Sequence, residues 1–403
     1  MTRHYSTKSF FRNAPNALLA RYFKQHGVLG DVDFSNLKEG NPDPLFTAWL
    51  ELPASQRGQM DAKFQEIFAM SCEQGTKAII DEARHWIVTV AGEPMEPFME
   101  WISGLKNHYD RAFRSFLKYP DYWKGAINFF HADTLSWWRK RKGLPKVAAQ
   151  CDDASLEQLA KLISHYFHNT EGKGSNCVVE PFRRNDLDYF FAYPEDYSQR
   201  SIEWVGNEFK PRPHNPAFEI IFVYSEKEGS LDLHYRGNRK AVKPLQSFFC
   251  EAILKQEELP PDEKDTRVYD LSPLQQQDFA FQYKPGSGVE EVRITKLRLS
   301  SCMKKGDRIT LEADSNNNPN AVYELMDKVA KGLPMKYYNV TRVEFSASVV
   351  VDPNKPAKIV PFHITHPNSC SLKYDEIGLL LRGIVEKSGI EPREPEGEKD
   401  NDP

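Results

Sequence analysis

Two hydrophobic periodicities divide this chain. From Phe10 to about Phe167 apolar residues recur at helical spacing, clearest between Gly58 and Val90 (Met60, Phe64, Ile67, Phe68, Cys72) and again in the aromatic-rich stretch Phe98 to Trp138. Breaks at Asn41 to Pro44, Gly92 to Pro94 and Gly143 to Pro145 cut this region into about six helices. Near the start, Pro15 suits a first helical turn, and Leu18, Leu19, Tyr22 and Phe23 form an apolar stripe ending at Gly27. The acids Asp152 and Asp153 favour the N-terminus of a further amphipathic helix, Leu156 to Phe167, which Asn169 to Asn176 then breaks.

From Cys177 onward the period becomes that of strands. Cys177 to Glu180, Tyr189 to Tyr193, Phe218 to Tyr224 and Leu231 to Tyr235 are predicted strands, the last two a hairpin turning near Gly229. A helix from about Val242 to Leu254 follows. Beyond it, Gln256 to Arg267 is charged and proline-bearing and reads as a linker.

A last unit reads strand, strand, helix, strand, strand, helix. Its strands are Val289 to Leu299, Arg308 to Ala313, Val340 to Val351 and Lys358 to Thr365; its helices are Pro319 to Lys331 and Asp375 to Lys387. Asn318 stands as a cap, Pro319 as an opening residue, and Gly332 and Gly389 where left-handed ends belong. Val343, Phe345, Ala347 and Val349 alternate with polar residues, as on a sheet with one buried face. Val292 and Ile294 are out of phase with Leu297 and Leu299, which predicts a β-bulge near Thr295 and Lys296.

The expected fold is therefore α+β and multidomain, with an all-helical N-terminal domain and a mixed C-terminal region of antiparallel sheets. The expected units are a helical domain over residues 1–168, a β-rich domain over 169–255 closed by a helix, a linker over 256–267, a ββαββα domain over 268–390, and a disordered acidic tail over 391–403. At 403 residues the chain exceeds what one core ordinarily serves, and 40% hydrophobic residues are enough to fill several. No apolar run approaches the roughly 18 residues that span a bilayer, so no membrane contact is expected. Six well-separated cysteines without a CxxC pair fit a reducing cytoplasm. Basic residues in the first thirty positions superficially suggest a transit peptide, but a folded basic helix accounts for them equally.

A formal net charge of -4 neither attracts nor repels a polyanion, so any nucleic-acid contact must be local. The strongest local signal is Trp137, Trp138, Arg139, Lys140, Arg141 and Lys142, with Lys146 just beyond. Cations beside aromatics neutralise phosphates and stack bases, so Trp138, Arg139, Lys140, Arg141, Lys142 and Lys146 are the expected nucleic-acid-binding residues. The plainer reading of the same residues is a solvated cationic helix end with the tryptophans packed inward. In the last unit Arg293, Lys296, Arg298, Arg308, Arg342 and Lys358, interrupted by Glu312 and Glu344, offer a second cationic surface or ordinary mixed surface charge.

Other groupings point to metal or catalysis. His165 and His168 lie three apart on a helix, with Cys177 as a third donor; Asp186 and Asp188 share a predicted sheet face near Glu180. Partly buried structural histidines and ordinary hairpin-loop chemistry are the default readings of these groups, so no metal is assigned. His363 and His366, three apart on a strand, face opposite ways. Cys370, after Pro367 and Asn368, is expected in an exposed loop open to oxidation. His131 and Asp133 lack the third group that nucleophilic catalysis needs. No phosphate-binding loop, dinucleotide fingerprint, HExxH or GxSxG occurs, so no cofactor is expected.

The segments His168 to Arg184 (HNTEGKGSNCVVEPFRR) and Ile364 to Lys373 (ITHPNSCSLK) resemble stretches of bacterial proteins with no assigned activity. That resemblance implies a bacterial cytoplasmic setting, with which an accessory role in a mobile element or in antiphage defence is consistent. The reading taken forward is a non-enzymatic binding component that contacts nucleic acid or a protein partner. Its rivals are a metal-dependent nuclease or other hydrolase built on Glu180, Asp186 and Asp188 or on His165, His168 and Cys177, and a structural adaptor.

Overall fold

The computed structural model describes residues 4–205, 208–261, 268–304, 306–351 and 356–391. Two compact units emerge, Met1–Thr134 and Leu135–Pro403. The boundary therefore falls earlier than the expected division after residue 168, and the two expected C-terminal domains belong to one unit. No helix among the described residues is long and apolar enough to cross a membrane.

The first unit is helical: α1 (Thr7–Asn13), α2 (Asn16–Gln25), α3 (Asp43–Leu50), α4 (Ala54–Met70), α5 (Glu73–Arg84), α6 (Glu96–Ser103), α7 (His108–Lys118) and α8 (Pro120–Ala132), with a π-helical continuation of α5 over His85–Val90. Its core is aromatic. Phe64 of α4 is fully buried and meets the rings of Phe10, Tyr22 and Trp49 at centroid separations of 4.8, 5.0 and 5.6 Å. Such ring pairs add about 0.5–1.5 kcal/mol each beyond area burial.

The second unit is organised around one ten-stranded antiparallel sheet. In chain order its strands are β1 (Trp138–Arg141), β2 (Cys177–Arg184), β3 (Leu187–Pro194), β6 (Ile220–Ser225), β7 (Ser230–His234), β8 (Val289–Ser301), β9 (Arg308–Glu312), β10 (Tyr338–Val349), β11 (Lys358–Thr365) and β12 (Ser369–Cys370). A separate hairpin, β4 (Gln199–Val205) and β5 (Glu208–His214), is inserted between β3 and β6. The spatial order is β2-β3-β6-β7-β1-β12-β11-β10-β8-β9. The first strand of the unit thus lies in the middle of the sheet and joins the two regions that the sequence presented as separate domains.

Trp138–Arg141 was expected to end a helix and is instead this central strand. Arg139 to Arg141 pair with Leu233 to Leu231 on one side, and Trp138 and Arg139 pair with Cys370 and Ser369 on the other. Sheet partners on both edges satisfy its backbone, and that tertiary gain overrides the helical periodicity of the preceding stretch. Trp137 (φ 74°) and Gly143 (φ 75°) bracket the strand in left-handed conformations that end any helix.

Among the described residues the α-helices of the unit are α9 (Asp153–Glu171), α10 (Val242–Ala252), α11 (Ala321–Ala330) and α12 (Glu376–Lys387). Asp152 caps α9 by accepting from the Ser155 N–H, and Gly172 (φ 69°) closes it. Asp375 caps α12 in the same way, accepting from the Gly378 N–H. Asn318 stands ahead of α11 rather than at its cap, its side chain accepting from the Asn320 N–H, and of the two expected left-handed glycines only Gly389 is one.

The two halves of the sheet are covered on opposite faces. Helices α9 and α10 share a core with Phe190, Phe222, Leu231 and Leu233. Helix α12 packs with Ile294, Leu297, Val343, Phe345, Ile364 and Cys370. Directly opposed residues share a face, so the chain of pairs Leu233–Arg139–Ser369–Thr365–Arg342–Arg298 shows that the face helix-covered in one half continues as a polar face in the other. The expected bulge is present: pairing skips Thr295 between Glu344↔Lys296 and Phe345↔Ile294.

Of the expected acidic tail, Glu391 is buried within the fold, and residues 392–403 lie outside the described residues; so does 262–267 of the expected linker. Cys370, expected exposed, is buried on β12 with its thiol pushed up by that burial.

Gly378 fixes the entry of α12, because a Cβ there would stand 2.1 Å from the Lys373 carbonyl oxygen, a backbone atom. Gly378→Ala is expected to destabilise the second unit by about 1–3 kcal/mol, measured by chemical denaturation.

Candidate nucleic-acid interface

Consecutive residues of a strand point to opposite faces, and the Trp137–Trp138 pair shows the consequence. Trp138 is 0% exposed, against Tyr374 and His234 at ring separations of 5.1 and 5.3 Å. Trp137 is 49% exposed and lies on the polar face, against His363 at 4.6 Å with the Arg342 guanidinium 5.6 Å from its ring.

The cations that follow do not form one exposed surface. Arg139 donates through Nη1 to the Tyr235 carbonyl at 3.1 Å, and Arg141 through Nη2 to that of Pro260 at 2.6 Å. Lys140, 8% exposed, bonds Glu228 and Glu391, each at 2.8 Å, and Lys142 reaches Glu391 at 3.0 Å. Burial alone would lower the Lys140 ammonium, but Asp232, Glu391 and Glu228 outweigh it and hold it above its ordinary range. Of the expected binding residues, only Lys146 has an exposed side chain. The basic run is sequestered because a central strand must be satisfied on both faces, and the chain's own carbonyls and carboxylates satisfy it.

The residues of the other expected cationic group, Lys358 apart, lie on the polar face beside Trp137, interleaved with carboxylates. Pairing places Arg342, Arg298 and Thr310 in one row across β10, β8 and β9, Glu344, Lys296 and Glu312 in the next, and Ser346 and Arg293 in a third. Lys358 departs from this set: it pairs with Val349 and so lies on the other face. Lys296 bonds Glu312 at 3.0 Å and Glu344 at 3.4 Å, Arg342 bonds Glu344 at 2.8 Å, and Arg293 bonds Glu291. Arg298 and Arg308 make no ion pair among the described residues. Burial, then the neighbouring charges of Arg308 and Arg342, lower the Arg298 guanidinium below its usual value. Three arginines thus crowd one another beside an exposed indole, and an anion there would relieve the repulsion.

His363 completes the platform. Burial first, then repulsion from Arg342 against a smaller pull from Glu344, lowers its imidazole to about 4, so the ring under Trp137 is neutral at pH 7. Its Nε2 has no hydrogen-bond partner among the described residues. Sequence reasoning held both ingredients, the tryptophan pair and the last unit's arginines, but in separate groups. The signal that links them is strand alternation at Trp137, hidden by the helical pattern before it.

The residues of the rival readings stand as follows. His165 bonds Asn169 on an exposed face of α9, and Cys177 is on β2 with its thiol pushed up to about 12 by burial. Asp186 is in the β2–β3 turn beside Asn185 (φ 55°), while Asp188 is buried and bonded to Arg183 at 3.1 Å. Glu180 is within β2 and His168 in the last turn of α9. Among the described residues, no group of three or more His, Cys, Asp or Glu is placed to hold a metal ion. No family model matches the chain, and comparison with curated proteins finds no match.

Two outcomes follow from this geometry. Lys140→Ala leaves Asp232, Glu228 and Glu391 without their shared counter-charge and is expected to cost about 3–5 kcal/mol in denaturant unfolding. A histidine whose folded pKa is depressed contributes stability above its unfolded pKa that is lost as the pH falls. His363 should therefore titrate near 4 by NMR, and His363→Gln should flatten the decline in stability between pH 6.5 and 4.

Proposed function

We propose that this chain binds single-stranded nucleic acid on the polar face of β8, β9, β10 and β11, with Trp137 as the base-stacking residue and Arg298, Arg308 and Arg342 as the phosphate contacts. The observation that carries this reading is the half-exposed indole of Trp137, set on His363 with the Arg342 guanidinium 5.6 Å from its ring, and Arg342 in turn stands opposite Arg298, which like its neighbour Arg308 has no ion-pair partner among the described residues. An antiparallel sheet with helices on one face and an aromatic residue among cations on the other supplies both contacts that unpaired nucleotides need. The left-handed backbone of Trp137 supports the same reading. A bulky residue at φ 74° carries strain of about 1–3 kcal/mol, and such strain concentrates where a side chain must be held for contact. With a formal charge of -4 over the whole chain, attraction for a polyanion has to come from a local group of cations such as this one.

The β4–β5 hairpin favours a second reading, contact with a protein partner. Ile202, Trp204 and Phe209 are all exposed there, Trp204 and Phe209 with ring centroids 5.4 Å apart. Isolated exposed aromatics of this kind anchor interfaces.

The test is fluorescence anisotropy with labelled single-stranded DNA and RNA oligonucleotides across a salt series. Trp137→Ala should weaken binding about five- to a hundredfold, equivalent to ~1–3 kcal/mol for one stacked base. Arg298→Ala and Arg308→Ala should each reduce the salt slope by about 0.7. Binding that ignores salt, prefers duplex, or survives Trp137→Ala unchanged removes the proposal, while loss only on Trp204→Ala transfers the contact to the hairpin.

A further inference from the structure

The face opposite Trp137 carries a cavity of about 400 Å³ between β7, β1 and α12, within the size range of small-molecule sites. Its floor is Asp232 of β7, which is 4% exposed, and its wall on the helix side is Arg382 and Gly383 of α12. Arg382 donates through Nη2 to the Leu372 carbonyl at 2.7 Å and lies 4.1 Å over the Tyr374 ring, which fixes its guanidinium. Among the described residues its Nη1 has no hydrogen-bond partner, nor has Asp232 Oδ1, and both atoms are buried. The Tyr374 hydroxyl couples to the Asp232 charge without strict hydrogen-bond geometry to it. Burial raises the Asp232 carboxyl, and the charges of Arg382 and then Lys140 oppose that rise.

A buried acceptor and a buried donor left open among the residues that line one cavity each carry a desolvation cost that a matching occupant removes. The lining adds a constraint on the occupant's charge. Lys140, Lys142, Lys146 and Arg382 are balanced by Glu228, Asp232, Glu386 and Glu391, so the cavity favours no net charge of either sign. Val223, Leu187 and Leu379 give it an apolar side. A molecule with no net charge, a cationic donor for Asp232, an anionic acceptor for Arg382 and an apolar remainder meets all of these conditions.

We propose that this cavity binds a free α-amino acid, its ammonium on Asp232 Oδ1 and its carboxylate on Arg382 Nη1 and the Tyr374 hydroxyl. The site uses none of the residues of the nucleic-acid reading and stands or falls separately from it. Gly383 supplies a decisive variant. A Cβ built there meets nothing within 4 Å, and Gly383 is within a helix, where leucine is favoured over glycine; Gly383→Leu therefore fills the cavity without removing a charge or weakening α12.

The experiment is thermal shift followed by calorimetric titration of the full chain with each of the twenty free amino acids at millimolar concentration. Each amino acid that binds is then retested as its N-acetyl and its carboxamide derivative, and nucleosides serve as the neutral planar control. At least one free amino acid should raise the melting temperature, and both derivatives should fail. Gly383→Leu should abolish binding with the melting temperature preserved, and Asp232→Asn should weaken it about ten- to a hundredfold. Absence of binding by all twenty, binding retained by either derivative or by Gly383→Leu, or selection of nucleosides instead overturns the proposal.

Discussion

The second unit depends on placing a short basic strand where a hydrophobic one would be expected. Lys140 is central to the ten-stranded sheet, and three carboxylates from β7, the β6–β7 turn and the segment after α12 converge on it. An interior ammonium is costly by itself, and an apolar residue of similar volume often serves stability as well or better. What the ion cluster adds is discrimination. Glu228 belongs to the first half of the sheet and Glu391 follows the last helix of the second, so the lysine is satisfied only when both halves have closed on β1 in the correct register.

Because β1 is the seam, its two faces carry the unit's two chemically distinct surfaces. Helix cover switches sides across it, from α9 and α10 on one face to α12 on the other. The polar face of the second half is left open and Trp137 is set upon it, while the other face beneath α12 holds the buried charges. A sheet covered uniformly on one side would have offered one of these surfaces.

Much of the architecture was legible. The strands from Cys177 onward, the bulge at Thr295, the α9 and α12 caps and the alternation of β10 are local signals, each written in neighbouring residues and each present. The local β4–β5 hairpin escaped, its Pro211 and Pro213 masking the strand period, and so did the non-local pairing of β1. WRKR has no alternation of its own to mark it as a strand, and its partners Leu231 to Leu233 and Ser369 to Cys370 are far along the chain. The same distance hid the fate of the cations: charge clusters in sequence read as solvent-facing unless their counter-ions are nearby, and Glu391 stands at the start of what composition marked as a tail. The arginines of the sheet face were legible as a group, but the indole that completes them comes from before β1.

The order of the strands has a consequence for how the unit is assembled. β1 is made first, yet its two neighbours are β7 and β12, and β12 is the last strand of the chain. Until residues near Cys370 have emerged from the ribosome, the edge of β1 that will meet them is a row of unpaired amides and carbonyls, and the edge of β7 is joined to a strand still open on its far side. Pairings of such long sequence separation form late and slowly, so nascent or truncated chains ending before β12 would expose a strand edge at the middle of the sheet, the kind of surface that invites misassociation.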